Sequence, residues 1–144
     1  MKKGFVVKNE NEMENLGGYL LSLAKPNTII ALSGSLGAGK TVLVKGLAKE
    51  MGINEPIVSP TFTLVQKYKG THLILYHLDL YRLGDIDEFD LIDGRDILSS
   101  DAIVCIEWPD IIGPYLEECN VIYVNVTINA DKSRTVFIET NGSM

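Results

Sequence analysis

The chain reads Gly34-Ser35-Leu36-Gly37-Ala38-Gly39-Lys40-Thr41, and a single residue separates this octapeptide from the preceding apolar run Thr28-Ile29-Ile30-Ala31-Leu32. The octapeptide matches the pattern G-x-x-x-x-G-K-[ST], and the run before it is typical of a core strand. Glycines leave the backbone free to curl, so that successive N–H groups point at one anion. A helix that begins at about Lys40 adds the positive end of its dipole. The stretch predicts a phosphate-binding loop; the alternative is an ordinary glycine-rich turn.

The residue types of the loop each have a predicted task. Lys40 would reach the β- and γ-phosphates of a nucleotide, and the Thr41 hydroxyl would bind Mg²⁺. Phosphate contacts are predicted along the whole loop, at Gly34, Ser35, Leu36, Gly37, Ala38, Gly39, Lys40 and Thr41.

Size and charge limit the function. With 144 residues, 46% of them hydrophobic, the chain is long enough for one domain, predicted over residues 1–144, and too short for two. A formal net charge of -6 argues against a protein that holds nucleic acid by itself, because phosphate backbones are bound chiefly by Lys and Arg. The sequence has no signal-peptide pattern and no run approaching the ~20 apolar residues of a membrane span, so a cytoplasmic protein without membrane contact is expected. Cys105 and Cys119 lack metal-type spacing and are expected to be reduced thiols.

Apolar periodicity and turn residues predict the remaining elements. Helices are predicted over 12–24 and 40–51, strands over 28–32, 62–67, 72–80, 102–106, 121–129 and 134–139, and partly helical structure over 84–100. The run 102–106 is almost wholly apolar, as expected of a strand covered on both faces. The predicted fold is α/β: a three-layer domain like the P-loop NTPases, with a mixed, mostly parallel central sheet and antiparallel hairpin additions.

Two acids follow the rule that ligands of open α/β sheets bind beyond the carboxyl ends of the strands. Glu107 follows the buried strand 102–106, and Asp79 lies near the end of the strand over 72–80. They are predicted to hold the metal shell and to position the attacking group; the alternative is ordinary strand-end charge. In an extended segment His77, Asp79 and Tyr81 share a face, so His77 could hydrogen-bond Asp79. The alternative for His77 and Tyr81 is core packing, and no chemical step is assigned to His77.

The segment Ser59-Pro60-Thr61-Phe62-Thr63 lies between the loop helix and the first hairpin. A threonine hydroxyl there could approach the γ-phosphate or its metal and report the nucleotide state. The alternative is a proline-fixed start to a strand.

Four segments, in this order, resemble the TsaE (YjeE) family. They are the glycine-rich loop, Ser59-Pro60-Thr61-Phe62-Thr63-Leu64, His77-Leu78-Asp79-Leu80-Tyr81-Arg82 and Glu107-Trp108-Pro109. The loop alone is common to many families, whereas H-x-D-x-Y-R together with E-W-P is specific. The similarity extends from about Glu10 to Arg134. Two positions depart from the family pattern: members usually have an acidic or amide residue at Ser35 and often Thr or Ser at Val42.

The resemblance implies an ATPase that works with the TsaB and TsaD proteins in making threonylcarbamoyladenosine in tRNA. TsaD performs the transfer in that family, TsaE hydrolyses ATP to support repeated cycles, and tRNA contacts TsaE only indirectly through the complex. Residue by residue, Asp79 resembles the catalytic aspartate, and Lys40 and Glu107 complete the catalytic set. Thr41 with Glu107 would hold Mg²⁺, Thr61 would be the switch-like threonine, and Glu10 and Arg134 would contact the nucleotide.

Two other functions fit the same loop. A small-molecule kinase would need an acceptor pocket and usually a basic lid, whereas the segment 85–101 is acidic. A nucleotide-gated adaptor would bind ATP without significant turnover. The leading hypothesis is an Mg²⁺-dependent ATPase subunit that is slow by itself.

Overall fold

A computed structural model describes residues 2–35, 37–60 and 63–141, and its centre is a seven-stranded sheet of order β1-β7-β6-β2-β5-β4-β3. The strands are β1 (Lys2–Val7), β2 (Thr28–Gly34), β3 (Val65–Lys69), β4 (Ile74–Asp79), β5 (Ile103–Glu107), β6 (Asn120–Ile128) and β7 (Arg134–Thr140). The helices are α1 (Glu10–Leu23), α2 (Lys40–Glu50), α3 (Ile86–Leu91), α4 (Gly94–Leu98) and α5 (Gly113–Leu116), with a 3-10 turn at Pro109–Ile112.

The inner strands of the sheet are parallel. β2 pairs in parallel with β5 on one side and β6 on the other, and β4 pairs in parallel with β5. β1, β7 and β3 are antiparallel additions. The predicted α/β fold with a mostly parallel central sheet is therefore confirmed, and the C-terminal ends of the parallel strands lie along one edge.

Helices cover the sheet on both faces. In β2, Ile30 and Leu32 belong to one apolar cluster with α1 and α2, while Ile29 and Ala31 belong to a second cluster with residues of α3, α4 and α5. Because successive side chains of a strand point to opposite faces, a strand between two helical layers must be apolar at every position. This explains the unbroken apolar run that precedes the glycine-rich loop.

Helices α1 and α2 touch backbone to backbone at a pair of glycines. A Cβ atom on Gly46 would lie 1.8 Å from the carbonyl oxygen of Glu14, and one on Gly17 would lie 2.2 Å from the carbonyl carbon of Gly46. Only glycine permits so close an approach. The contact brings the start of α1 beside the start of α2, where the loop ends.

Several elements differ from the expectations. β1, the 3-10 turn and α5 were not predicted, and α1 begins at Glu10 because the Asn9 side chain caps it by accepting from the Glu12 N–H at 2.9 Å. The first hairpin is shorter than expected, with strands Val65–Lys69 and Ile74–Asp79. Across the three described ranges, no helix combines the length and hydropathy that a membrane crossing requires.

Candidate functional site

The loop between β2 and α2 depends on three glycines with positive φ. Gly34, Gly37 and Gly39 have φ of 144°, 78° and 105°. A Cβ on Gly34 would also lie 2.5 Å from the Val126 carbonyl oxygen. The loop can therefore take this course only with glycine at these positions. Leu36, predicted to contact phosphate, lies outside the described residues.

Lys40 begins α2, and its side chain is almost fully buried at 4% exposure. Its ammonium donates to the Gly34 carbonyl oxygen at 2.8 Å and lies 4.0 Å from the centre of the Trp108 ring. Burial lowers the pKa of Lys40 from its usual value, while Glu107 and Asp79 act in the opposite direction. The loop thus closes around a cation with two carboxylates nearby.

The two predicted acids end neighbouring strands. Asp79 and Glu107 are paired residues of β4 and β5, and Leu32 of β2 is the next in that row. Both acids are buried, at 6% and 5% exposure. The Thr41 hydroxyl donates to Glu107 Oε2 at 3.4 Å. The structure therefore brings Lys40, Thr41, Asp79 and Glu107 together, as the strand-end rule predicts.

Among the described residues His77 hydrogen-bonds Glu107 and has no partner at Nδ1, so the expected hydrogen bond to Asp79 is wrong. Its Nε2 lies 2.6 Å from Oε2 of Glu107. The face shared by His77, Asp79 and Tyr81 does not continue past β4, because the strand ends at Asp79 and the Asp79 side chain turns to accept from the Tyr81 N–H at 3.0 Å. The Tyr81 side chain is then 57% exposed.

Trp108 lies beside Lys40 and packs against a second aromatic residue. Trp108 follows β5 with left-handed backbone (φ 57°, ψ 60°), and this bend starts the 3-10 turn. Its ring packs against Tyr81, with centroids 4.9 Å apart. The E-W-P segment marks the position of Trp108, but the sequence carries no signal for its backbone conformation.

Arg134, at the start of β7, binds the loop backbone directly. Its Nε donates to the Ala38 carbonyl oxygen at 3.1 Å and its Nη2 to that of Gly37 at 3.3 Å, and its Nη1 contacts the Lys132 carbonyl oxygen. Arg134 therefore ties the loop to β7, a strand that is distant from the loop in sequence. Its predicted contact with the nucleotide remains a prediction.

A cavity of about 590 Å³ opens over these groups. The predicted residues that line it are Glu10, Gly37, Ala38, Gly39, Lys40, Thr41, Asp79, Glu107 and Arg134. Sequence reasoning missed Lys8, Asn9, Met13 and Lys132, which also line it. No motif marks these residues in the sequence. They line the cavity because of where the fold places the start of α1 and the turn between β6 and β7. Ser59 reaches the cavity, whereas Thr61 lies outside the described residues.

Gly34 and Ser35 line a separate cavity of about 150 Å³ that also contacts Trp108. Neither residue is among those that line the larger cavity.

The donor set fits a magnesium-bound polyphosphate. A glycine loop leads into a helix N-terminus beside a buried ammonium, which suits an anion. The Thr41 hydroxyl and the carboxylates of Glu107 and Asp79 supply the hard oxygens that Mg²⁺ prefers. Among the described residues no group of three or more His, Cys, Asp or Glu side chains could hold a metal ion by itself. The protein oxygens here would make a partial shell, which is how Mg²⁺ is usually held when phosphates complete its coordination.

Comparison with protein families gives one match over most of the chain. The family model described as "Threonylcarbamoyl adenosine biosynthesis protein TsaE" matches residues 7–136. Several curated relatives carry the name tRNA threonylcarbamoyladenosine biosynthesis protein TsaE. The relative from Rickettsia felis is 38% identical over 96% of this chain and 80% of its own length. The one from Treponema pallidum is 35% identical over 92% and 97%, and that from Nostoc is 42% identical over 89% and 78%.

A solved structure has the same fold. The crystal structure of Bacillus subtilis YdiB is similar with a TM-score of 0.80 and 26% sequence identity. The match covers 99% of this chain and 87% of that chain.

Proposed function

The chain belongs to the TsaE family of threonylcarbamoyladenosine biosynthesis, and on this premise we propose that it is the Mg²⁺-dependent ATPase subunit of that tRNA modification. One observation carries the proposal: Lys40, Thr41, Asp79 and Glu107 meet at a cavity directly after a glycine-rich loop. The 144 residues would form a single ATPase domain.

Binding would rest on the loop and the first turn of α2. The loop amides and the Lys40 ammonium would hold the phosphates, with Thr41 and Glu107 bound to the metal. The Lys40 ammonium is already confined by Gly34 and Trp108. To bind a phosphate, the ammonium would give up its bond to the Gly34 carbonyl oxygen, and its charge would then stabilise the anion.

Asp79 would act on the attacking water. Bound Mg²⁺·ATP would supply the phosphoryl group that passes to water and the cation that neutralises its charge. The Asp79 carboxylate, oriented by the Tyr81 N–H, would position that water and take up its proton. Glu10 and Arg134 would contact the nucleotide beyond the phosphates, at the edge of the cavity.

The small number of arginines that could stabilise the transferred phosphate favours slow turnover without partners. The chain has three, Arg82, Arg95 and Arg134. Arg95 is bound to Asp90 and Arg134 to loop carbonyls. An arginine finger supplied by a partner typically raises phosphoryl-transfer rates by about 10³- to 10⁵-fold. TsaB and TsaD are the proposed partners, and tRNA would be reached only through them, in the cytoplasm.

Single-turnover hydrolysis of ATP with and without TsaB and TsaD tests the proposal. We expect slow hydrolysis alone, faster hydrolysis in the complex, and modified tRNA only when the complex is present. Lys40→Ala serves as the control that should lose ATP binding.

Three outcomes would contradict the proposal. Equally fast hydrolysis with and without the partners would argue against a site that they complete. Phosphate transfer to a metabolite would indicate a kinase. ATP-dependent assembly without any hydrolysis would indicate an adaptor.

A further inference from the structure

His77 is the most buried ionisable side chain near the site, yet the mechanism above does not use it. The side chain is 0% exposed and lies in β4 opposite Cys105 of β5. Its Nε2 is 2.6 Å from Glu107 Oε2, a contact shorter than an ordinary N–H···O bond. A buried ring in hydrogen-bond contact with a carboxylate restricts the orientation of that carboxylate.

The contact assigns the proton on the ring. The contact needs one hydrogen between the two atoms, and with Glu107 as a carboxylate, which only accepts, that hydrogen is on Nε2. The Nδ1 atom has no hydrogen-bond partner in the described part of the chain. Within the described ranges, the contact with Glu107 is therefore the ring's one hydrogen bond.

The carboxylate of Glu107 is used asymmetrically. His77 and Thr41 both bond to Oε2, at 2.6 Å and 3.4 Å. Among the described residues, neither hydrogen bond of Glu107 falls on Oε1. The shared atom links a buried ring of β4 to the first turn of α2, so His77 constrains the residue pair proposed to bind the metal.

We propose that His77 is the positioning residue for the magnesium shell, and that it orients Glu107 through Nε2–H so that the carboxylate and Thr41 bind the metal together. The inference rests on the proposed function. Outer partners of metal ligands commonly change metal affinity by about 10- to 100-fold when they are removed.

The part of the nucleotide affinity that depends on Mg²⁺ measures the role proposed for His77. Calorimetry with a non-hydrolysable ATP analogue gives the ratio of affinities in Mg²⁺ and in EDTA. Gln and Asn form a matched pair at position 77: the Gln amide nitrogen stands near the place of Nε2 and can still donate to Glu107, whereas the shorter Asn amide cannot reach it. His77→Phe keeps a ring and removes the donor.

We expect His77→Asn and His77→Phe to lower that ratio by about 10-fold or more, with little change in EDTA, and His77→Gln to keep most of it. An unchanged ratio in folded Asn and Phe variants would overturn the role of His77. Equal weakening in Mg²⁺ and EDTA would also overturn it, since the loss would then come from the fold.

The wild type separates this inference from the proposed function. If wild-type protein binds the analogue equally in Mg²⁺ and EDTA, the metal role of Glu107 is wrong and the role of His77 falls with it. If wild-type protein binds the analogue more tightly in Mg²⁺ than in EDTA and the His77 variants keep the same ratio of affinities, the inference about His77 is wrong and the proposed function stands.

A second measurement covers variants that do not fold. Long-range ¹H–¹⁵N NMR of the wild-type ring reports which nitrogen is protonated. A proton on Nε2 that responds to Glu107→Gln supports the assignment, and an Nε2 without a proton overturns it.

Discussion

Asp79 is fixed at the end of β4 by both its backbone and its side chain. Its N–H donates to the Leu64 carbonyl oxygen at 3.0 Å, and its Oδ1 accepts from the Tyr81 N–H at the same distance. The backbone of Leu64 is left-handed, with φ of 67°. Hydrogen bonds to the backbone on both sides therefore fix the position of Asp79 and its carboxylate.

Asp79→Asn should separate binding from hydrolysis. The amide oxygen can still accept from the Tyr81 N–H, but the side chain can no longer take up a proton. We expect ATP affinity within a few-fold of wild type and hydrolysis lowered by about 10²- to 10⁴-fold, the usual range for loss of a general base. Single-turnover assays and calorimetry measure the two quantities.

Asp79→Ala is the matched comparison. It should lose the same hydrolysis and also about 1 kcal/mol of stability, because the Tyr81 N–H loses its acceptor. Wild-type hydrolysis by the Asn variant would contradict the role given to Asp79.

At the residue scale, motifs predicted the position of the site better than its contacts. Lys40 and Thr41 follow from the loop pattern, and the meeting of Asp79 with Glu107 follows from parallel strand ends. The His77 contact could not be predicted, because it depends on the register between β4 and β5 and on which way a side chain turns. Alternation within one strand, the argument used for His77, does not contain that information.

At the scale of elements, the crossing of α1 and α2 depends on glycine. Helix propensity alone favours Ala over Gly by about 1 kcal/mol in a helix interior. The structure reverses this preference at Gly46, where a Cβ would lie 1.8 Å from a backbone oxygen that cannot move without shifting α1.

We predict that Gly46→Ala destabilises the protein by about 1–3 kcal/mol, the usual cost of overpacking. Gly18→Ala in α1 is the control, since its nearest neighbour is the flexible Glu50 side chain at 3.5 Å. It should be neutral or slightly stabilising. Denaturant unfolding measures both variants, and a Gly46→Ala protein as stable as the Gly18→Ala protein would refute the close crossing.

Elements with a buried face were predictable, and elements at the margin were not. The strands β2 and β5 are buried at almost every position, and their apolar runs are evident in the sequence. In β1 only Val7 is buried, so the strand exists through its pairing with β7 and has little pattern of its own. The 3-10 turn and α5 follow a left-handed Trp108, a conformation that the residue type does not suggest.

At the scale of the whole molecule, β5 is an inner strand of the sheet and every one of its residues is buried. It lies between β2 and β4 and is covered on both faces. Cys105 in this strand is 1% exposed, and burial raises the pKa of its thiol far above the usual range. A thiol of this kind reacts only when the strand opens.

We predict that alkylating reagents label the buried Cys105 of the native protein much more slowly than the partly exposed Cys119. Single-cysteine variants followed by mass spectrometry measure each rate. ATP with Mg²⁺ at 100 times its Kd should slow Cys105 labelling by about 100-fold, because a ligand that binds only the folded state adds about 2.7 kcal/mol. Labelling of Cys105 at the rate of Cys119 would contradict the prediction that Cys105 reacts only when β5 opens.

Trp108 is the only tryptophan of the chain, and its ring centre lies 4.0 Å from the Lys40 ammonium. All tryptophan emission of the protein therefore originates at the wall of the site. When an anion draws the ammonium away, the cation–π contact weakens and the indole environment changes. The protein thus carries a built-in optical reporter of occupancy that needs no dye, no label and no engineered residue.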